Sequence, residues 1–381
     1  MAFTKLGLSK ALLEAISKQE YTSVYPIQEQ AIPAILEGKD VQGIAKTGSG
    51  KTASFVLPIL EQFQKKKASR KLNLKVLILV PTRELAMQIS GVISSFSEDL
   101  PIQVKNLAVY GGVKLNQQMV LLKDTEILVA TPGRLLDLVS TQSVNLGKIE
   151  MLVLDEADKM LDLGFQEELE SILKLMPKKR QNLLFSATLD GKISGLKKDL
   201  LHDPITIEIE NEVEDDLELI KQTAYMVSQE RKGPLLRYIL KNKEMSKVLV
   251  FTSSIRTADN VVTKLNKNGI KASAIHSKKT QGARNRAMMD FKVGGITVLV
   301  ATDLASRGID IHFLPTVINY ELPRSPKDYV HRIGRTGRAG ARGEAISLVT
   351  DEEEHHFYII QKKMGKRVEK INSDEIDLSK M

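Results

Sequence analysis

Two short runs in this 381-residue chain carry side chains of the kind that handle a triphosphate. The first is Ala45-Lys46-Thr47-Gly48-Ser49-Gly50-Lys51-Thr52. Gly48 and Gly50 let the backbone turn so that its amide N–H groups face phosphate oxygens, and a helix opening near Lys51 adds its positive end. Lys51 has the reach for β and γ phosphates, and Thr52 can offer its hydroxyl to Mg²⁺. The second run is Val153-Leu154-Asp155-Glu156-Ala157-Asp158. Asp155 follows an apolar strand, so its carboxylate emerges at the strand's carboxyl end, where open α/β sheets bind ligands. It is expected to hold Mg²⁺ largely through water, with Glu156 orienting the attacking water. Alone, the acidic run reads as a strand ending in a solvated turn. Beside a phosphate loop it completes a hydrolytic site, because nucleotide hydrolysis needs both a cation holder and a group that steers water.

The elements that must position these residues are short apolar strands alternating with helical stretches, a pattern that implies parallel-sheet α/β layers. In the first half the expected strands are 41–45, 76–80, 104–109, 127–130, 151–154 and 183–186. In the second half they are 248–252, 272–275, 297–301, 317–320 and 345–349. A chain of 381 residues exceeds a comfortable single core, so two domains are expected. Between the halves, acidic residues stand at 208, 210, 212, 214, 215, 216 and 218 with no basic ones among them. Like charges this dense disfavour a packed element and mark a linker. The stretch Lys65–Lys71, with five basic residues in seven, reads as a solvated helix end and loop.

A formal net charge of +8 favours a polyanionic partner, most simply nucleic acid. Hydrophobic and charged contents of 42% and 27% are those of a globular protein. The absence of cysteine excludes disulfides and cysteine-ligated zinc, and fits a reducing compartment. The first residues lack the apolar core of a signal peptide, and no apolar run is long enough to span a bilayer. A cytoplasmic protein with no membrane partner is expected.

The two runs belong to a larger ordered set. Tyr21-Thr22-Ser23-Val24-Tyr25-Pro26-Ile27-Gln28, with Phe3 upstream, is similar to a Q motif. Pro81-Thr82-Arg83-Glu84-Leu85, Gly111-Gly112, Thr131-Pro132-Gly133-Arg134 and Ser186-Ala187-Thr188 follow. In the second half come Val250-Phe251-Thr252-Ser253, Gln281-Gly282-Ala283-Arg284, Ala301-Thr302-Asp303, Arg307-Gly308-Ile309-Asp310 and His331-Arg332-Ile333-Gly334-Arg335-Thr336-Gly337-Arg338. In order and spacing the set resembles the DEAD-box RNA helicases of superfamily 2, in their short bacterial form, across roughly residues 1–363.

The resemblance implies an α/β fold of two tandem RecA-like domains, each a parallel sheet flanked by helices, joined by a short linker. The expected limits are 1–30 for the Q-motif region, 31–205 for the ATP-binding domain, 206–217 for the linker, 218–363 for the C-terminal helicase domain, and 364–381 for a mixed-charge tail. ATP with Mg²⁺ is the implied cofactor pair. The loop residues Ala45 to Thr52, with Gly308 and Asp310, would bind ATP, Asp310 through the ribose. The Gln28 amide can pair with a donor and an acceptor on adenine, selecting ATP over GTP, and Tyr21 can stack on the base. Arg335 and Arg338 lie three apart, so both can face a γ-phosphate held by the other domain as arginine fingers. Asp158, Ser186, Thr188 and His331 take the coupling roles that the resemblance implies.

RNA is the implied partner. Arg83, Arg134, Arg284 and Arg307 would meet phosphates, Thr131, Thr252 and Thr302 would supply hydroxyls, and Gly112 and Gly133 would allow close backbone approach. Such contacts to phosphate and sugar position a strand with little base specificity. A ribose 2′-hydroxyl distinguishes RNA from DNA, and an aromatic content of 5% leaves no dense base-stacking platform. Ribonucleoprotein or RNA-decay partners fit this chemistry, and a monomer is expected. Two competing readings share the residues: a DNA helicase of the same superfamily, and an ATP-gated RNA clamp with little net unwinding. Departures from the family pattern are Glu20, Val24-Tyr25, Ala45, Lys46 and Ser306; they touch the adenine and phosphate loops but remove no catalytic group.

Overall fold

The computed structural model describes the chain apart from residues 1, 20, 46–47, 66–72, 189–190, 210–217, 244, 304–313, 338–341 and 379–381, and the side chains of 191, 192 and 194. The chain divides into two compact units, Met1–Asn211 and Glu212–Met381.

The first unit is built on seven described parallel strands in the order β3-β4-β2-β5-β6-β1-β7. They are β1 Val41–Ile44, β2 Val76–Leu79, β3 Asn106–Val109, β4 Ile127–Ala130, β5 Met151–Leu154, β6 Gln181–Ser186 and β7 Ile205–Glu208. β2, β4 and β5 are apolar at every position because helices cover both faces of a parallel sheet. Alternation decides the face. Val76, Ile78, Val153 and Phe185 enter one core cluster with Phe55 and Ile89. Leu77, Leu79, Leu152 and Leu154 enter the other with Leu135 and Met160. Since all strands run the same way, their carboxyl ends share one edge, and the loops carrying Ala45, Thr82, Thr131, Asp155 and Thr188 emerge there.

The second unit repeats the plan, with seven described parallel strands in the order β10-β11-β9-β12-β13-β8-β14. They are β8 Ile220–Met226, β9 Val248–Thr252, β10 Ala272–Ile275, β11 Val298–Thr302, β12 Thr316–Asn319, β13 Gly343–Val349 and β14 Glu369–Asn372. Val248, Val250, Val300 and Ile318 face one cluster, while Leu249, Phe251, Leu299 and Val317 face the other.

Three strands lie where the sequence pattern suggested none. β7 occupies the start of the expected linker and pairs with β1 at Val41↔Ile205. Within it only Ile207 is buried, so an edge strand with one inward side chain leaves little apolar signal. β8, Ile-Lys-Gln-Thr-Ala-Tyr-Met, is mostly polar, yet pairs along its whole length with β13. β14 lies inside the expected tail 364–381. The helix Glu354–Met364 ends at Gly365, whose left-handed φ of 73° turns the chain back toward β8. Past β14, Ser373 is fully buried and donates from its hydroxyl to the Met226 carbonyl at 2.7 Å. Ile376 and Leu378 pack on the core of the second unit. The tail is thus part of the fold, docked by apolar contacts that its balanced charge conceals.

Candidate nucleotide and nucleic-acid site

The phosphate loop starts where β1 ends. The Ala45 amide continues the ladder to the Ser186 carbonyl at 3.1 Å, and the chain then turns through Gly48 and Gly50 at φ 89° and 86°. At Gly50 a Cβ would lie 2.5 Å from Gln28 Nε2 and 2.9 Å from a Tyr25 ring carbon, so only glycine fits. Lys46 and Thr47 lie outside the described residues. The helix Lys51–Lys65 opens directly after the loop, with Thr52 half-buried in its first turn. The Lys51 side chain is buried and its ammonium donates to the Ala45 carbonyl. Burial pulls the Lys51 pKa down, while the carboxylates of Asp155 and Glu156 pull the other way. The Ser49 hydroxyl is buried and has no partner among the described residues, which suits a loop shaped for a polar ligand.

Gln28 is fully buried beside this loop. Its Nε2 donates to the Gly50 carbonyl at 3.1 Å, and its Oε1 accepts the Tyr25 N–H at 3.0 Å. One end of the amide therefore holds the phosphate loop and the other caps the helix Pro26–Leu36. The adenine reading used only the amide's chemistry; the fold adds a direct tie between Gln28 and the loop. Tyr21 sets its ring edge-on to Phe96, centroids 5.3 Å apart, and packs against the first core.

The acidic run leaves β5 at Leu154, and the Asp155 amide bonds back to the Leu79 carbonyl at 3.0 Å. Asp155 is 3% exposed. Burial lifts its pKa to about 6, with Lys51 opposing and Glu156 reinforcing the rise; the Glu156 N–H donates to Oδ1 at 2.9 Å. Glu156 stands in the left-handed region at φ 54°, ψ 44°, capping the helix Ala157–Asp162. Such a conformation in a residue with a Cβ is held only where the surroundings over-determine it, commonly at functional sites. The Glu156 carboxylate accepts from the Lys159 ammonium at 2.6 Å, each side chain being 9% exposed. Asp158 accepts the Thr188 hydroxyl at 3.5 Å, and the Ser186 hydroxyl donates to the Thr188 carbonyl at 2.9 Å. Asp158 and the Ser186-Ala187-Thr188 run thereby meet.

Among the described residues no group of three or more His, Cys, Asp or Glu could cage a metal. The available donors are the hydroxyl of Thr52 and the carboxylate of Asp155, both hard oxygens. That set fits Mg²⁺, which takes one or two protein oxygens and fills its octahedron with phosphates and water.

At the same sheet edge Thr82 caps the helix Arg83–Ser97, accepting the Leu85 N–H at 3.3 Å. A Cβ at Gly112, φ 82°, would lie 2.2 Å from Arg83 Nη1, so glycine lets the guanidinium rest against the turn. Thr131 is buried ahead of the helix Pro132–Ser140, and Gly133 has open space around it. Arg134 differs from the expectation of a phosphate contact. It is 8% exposed and donates to Gln118 Oε1 at 2.7 Å, the Val113 carbonyl at 2.9 Å and Asp137 Oδ2 at 3.3 Å. Gln118, buried in the helix Leu115–Leu121, donates in turn to the Tyr110 carbonyl at 3.3 Å. Arg134 and Gln118 thus brace both flanks of Gly111-Gly112 from inside. Nothing in the sequence around Gln118 marks it for this task.

In the second unit Thr252 and Thr302 are register partners at the ends of β9 and β11. Thr252 is fully buried, its hydroxyl donating to the Ser254 carbonyl at 3.3 Å, whereas Thr302 is half-buried. Arg284 is buried in the helix Gln281–Lys292, which Thr280 caps. His331 lies half-buried in the last turn of the helix Pro326–Ile333, and Arg335 follows at 7% exposed. Arg332 is an internal strut: it grips Asp303 with two bonds of 2.5 and 2.7 Å, donates to Asn319 and Glu321, and lies 5.0 Å above the Phe251 ring. Arg307, Gly308, Asp310 and Arg338 lie outside the described residues.

With this geometry established, comparison with known proteins is specific. Residues 25–195 match the DEAD/DEAH box helicase model, and residues 231–340 match the helicase conserved C-terminal domain. The ATP-dependent RNA helicase CshA of Listeria monocytogenes is 40% identical over 376 residues, covering 98% of this chain and 71% of that protein. The DEAD-box ATP-dependent RNA helicase RhpA of Helicobacter pylori is 38% identical over 371 residues, covering 97% and 73%. Among solved structures, S. cerevisiae Dbp5 bound to RNA and ADP BeF3 superposes with a TM-score of 0.84 at 30% identity, covering 98% of this chain and 96% of that one.

Proposed function

The chain belongs to the DEAD-box family of ATP-dependent RNA helicases, and from this premise we propose that it couples ATP hydrolysis to local, sequence-independent melting of RNA duplexes by closing its two units over one nucleotide. The observation that carries the reading is the burial of Lys51, Asp155 and Glu156 near enough for their charges to act on one another, beside a glycine turn whose second glycine is held by Gln28.

In this reading the amides of residues 45–50 and the Lys51 ammonium cradle the phosphates, and Gln28 with Tyr21 faces the adenine. Thr52 and Asp155 would hold Mg²⁺, which when bound neutralises charge on the β and γ phosphates. Glu156 accepts a hydrogen bond from the attacking water and fixes its line of approach. Arg335 and Arg338 of the second unit act as arginine fingers, a contribution of about 10³–10⁵ in rate. Gly308 and Asp310 complete the ribose side. Asp158, Ser186, Thr188 and His331 transmit closure.

RNA lies along the carboxyl edges of both sheets, met by Arg83, Gly112, Thr131 and Gly133 on one unit and by Thr252, Arg284, Thr302 and Arg307 on the other. Arg134 contributes by holding the Gly111-Gly112 turn. Because ATP and RNA both favour the closed arrangement, each tightens binding of the other. Loss of the γ-phosphate removes the bridge and frees the strand. Among the described residues no helix is long and apolar enough to cross a membrane, and we place the protein in the cytoplasm as a monomer.

The test is strand displacement from a short RNA duplex with ATP, run beside ATPase assays with RNA and DNA of equal length. Melting with RNA-selective stimulation is expected. Equal stimulation by DNA would sink the RNA assignment, and tight ATP-dependent RNA retention without melting would favour a clamp.

A further inference from the structure

The site contains one buried cation to which the hydrolytic scheme above gives no work. Lys159 sits one turn into the short helix that Glu156 caps; its amide bonds to the Glu156 carbonyl at 3.0 Å while its ammonium reaches the Glu156 carboxylate at 2.6 Å. Backbone and side chain of the two residues are therefore tied at both ends. Both side chains are 9% exposed, so this is a desolvated ion pair rather than a solvated surface contact. The Lys159 charge is also felt at Lys51 and Asp155, which locates it inside the same electrostatic cluster.

Glutamate has three side-chain torsions, and a group that orients water must be held within about 0.5 Å of its working position to be effective. Glu156 starts from a left-handed backbone, a conformation that does not by itself select a rotamer for the carboxylate. A charge-assisted hydrogen bond of 2.6 Å does select one. We infer that Lys159 is a positioning residue for hydrolysis, anchoring the Glu156 carboxylate so that it meets the attacking water in one fixed orientation. The inference rests on the proposed role of Glu156. Lys159 touches neither nucleotide nor water in this scheme and acts only through Glu156.

The test is single-turnover ATP hydrolysis by the full chain with saturating RNA. Lys159→Met is expected to lower the hydrolysis rate about tenfold, in the range that outer supporting groups contribute, with the KM for ATP unchanged. In a Glu156→Gln background the same substitution is expected to add no further loss, because the carboxylate that pairs with the Lys159 ammonium is gone. An unchanged rate in Lys159→Met, or an equal loss in the Glu156→Gln background, overturns the inference. Should Lys159→Met fail to fold, Lys159→Arg and Lys159→Gln replace it: arginine keeps the charged donor and should hydrolyse faster than glutamine, and equal rates overturn the assignment. Wild type is measured first. A wild type without RNA-stimulated hydrolysis refutes the proposed function, whereas an active wild type with insensitive Lys159 variants refutes only the anchoring role.

Discussion

At the residue scale the site is a small set of buried charges whose arrangement decides what each can do. Glu156→Gln keeps volume and hydrogen bonding but removes the negative charge that, in the proposed mechanism, steers water. ATP and RNA are expected to bind while phosphate release slows by at least about 10²-fold, the usual weight of a positioned general base; rapid release in a quenched-flow measurement would take Glu156 out of its role. Gln28 has two jobs in this fold, since its amide caps a helix and holds the Gly50 carbonyl. Gln28→Ala is therefore expected to raise the KM for ATP as well as to weaken discrimination against GTP. If ATP preference survived intact in a competition assay, the adenine assignment would be wrong.

At the element scale the turn between β3 and the helix Leu115–Leu121 depends on two buried polar side chains. Gln118→Ala leaves the Arg134 guanidinium without its 2.7 Å acceptor and the Tyr110 carbonyl without its donor. Such a loss costs about 1–3 kcal/mol. RNA affinity by fluorescence anisotropy is expected to fall while ATP binding holds; unchanged RNA affinity would disconnect this turn from RNA. In the second unit Tyr329 is fully buried on the helix Pro326–Ile333, its hydroxyl 3.3 Å from Gln222 and 3.2 Å from Ser347. Burial pushes its pKa up to about 12, with the Ser347 contact opposing. The folded state thus keeps the proton past about pH 10, where an unfolded tyrosine loses it. By linkage, stability is lost as pH rises from about 10 toward 12, because there the unfolded state is the one that ionises. Urea midpoints at pH 9 and 11 should show a drop that is smaller in Tyr329→Phe.

At the scale of the whole molecule, the proposed mechanism draws on groups from both units. Arg335→Ala is expected to abolish RNA-stimulated turnover, a loss of about 10³-fold or more, with nucleotide binding largely retained by the first unit. Unchanged turnover would remove the cross-domain arginine from the mechanism. The tail belongs to this scale as well. Ser373, Ile376 and Leu378 dock on the second unit rather than trailing from it; the mixed charge of the tail gives no sign of this, because the anchoring contacts are few and separated by acidic residues.

What the amino-acid sequence determined by itself was local. The runs that carry Lys51, Thr52, Asp155 and Glu156 stood out as candidates because phosphate and cation chemistry demand particular residue types at short, fixed spacing beside an apolar strand. The buried central strands were legible for a similar reason, since a sheet covered on both faces leaves a continuous apolar run. Tertiary structure alone decided the rest. Gln28 meets Gly50 across two separate helices, Arg134 turns inward to Gln118 and Val113, and Arg332 is committed to Asp303. An arginine or glutamine carries the same donors whether it faces a phosphate or a neighbouring carbonyl, so only packing chooses between them. The strands β7, β8 and β14 likewise owe their conformation to the ladders beside them, pairing partners that no local window contains.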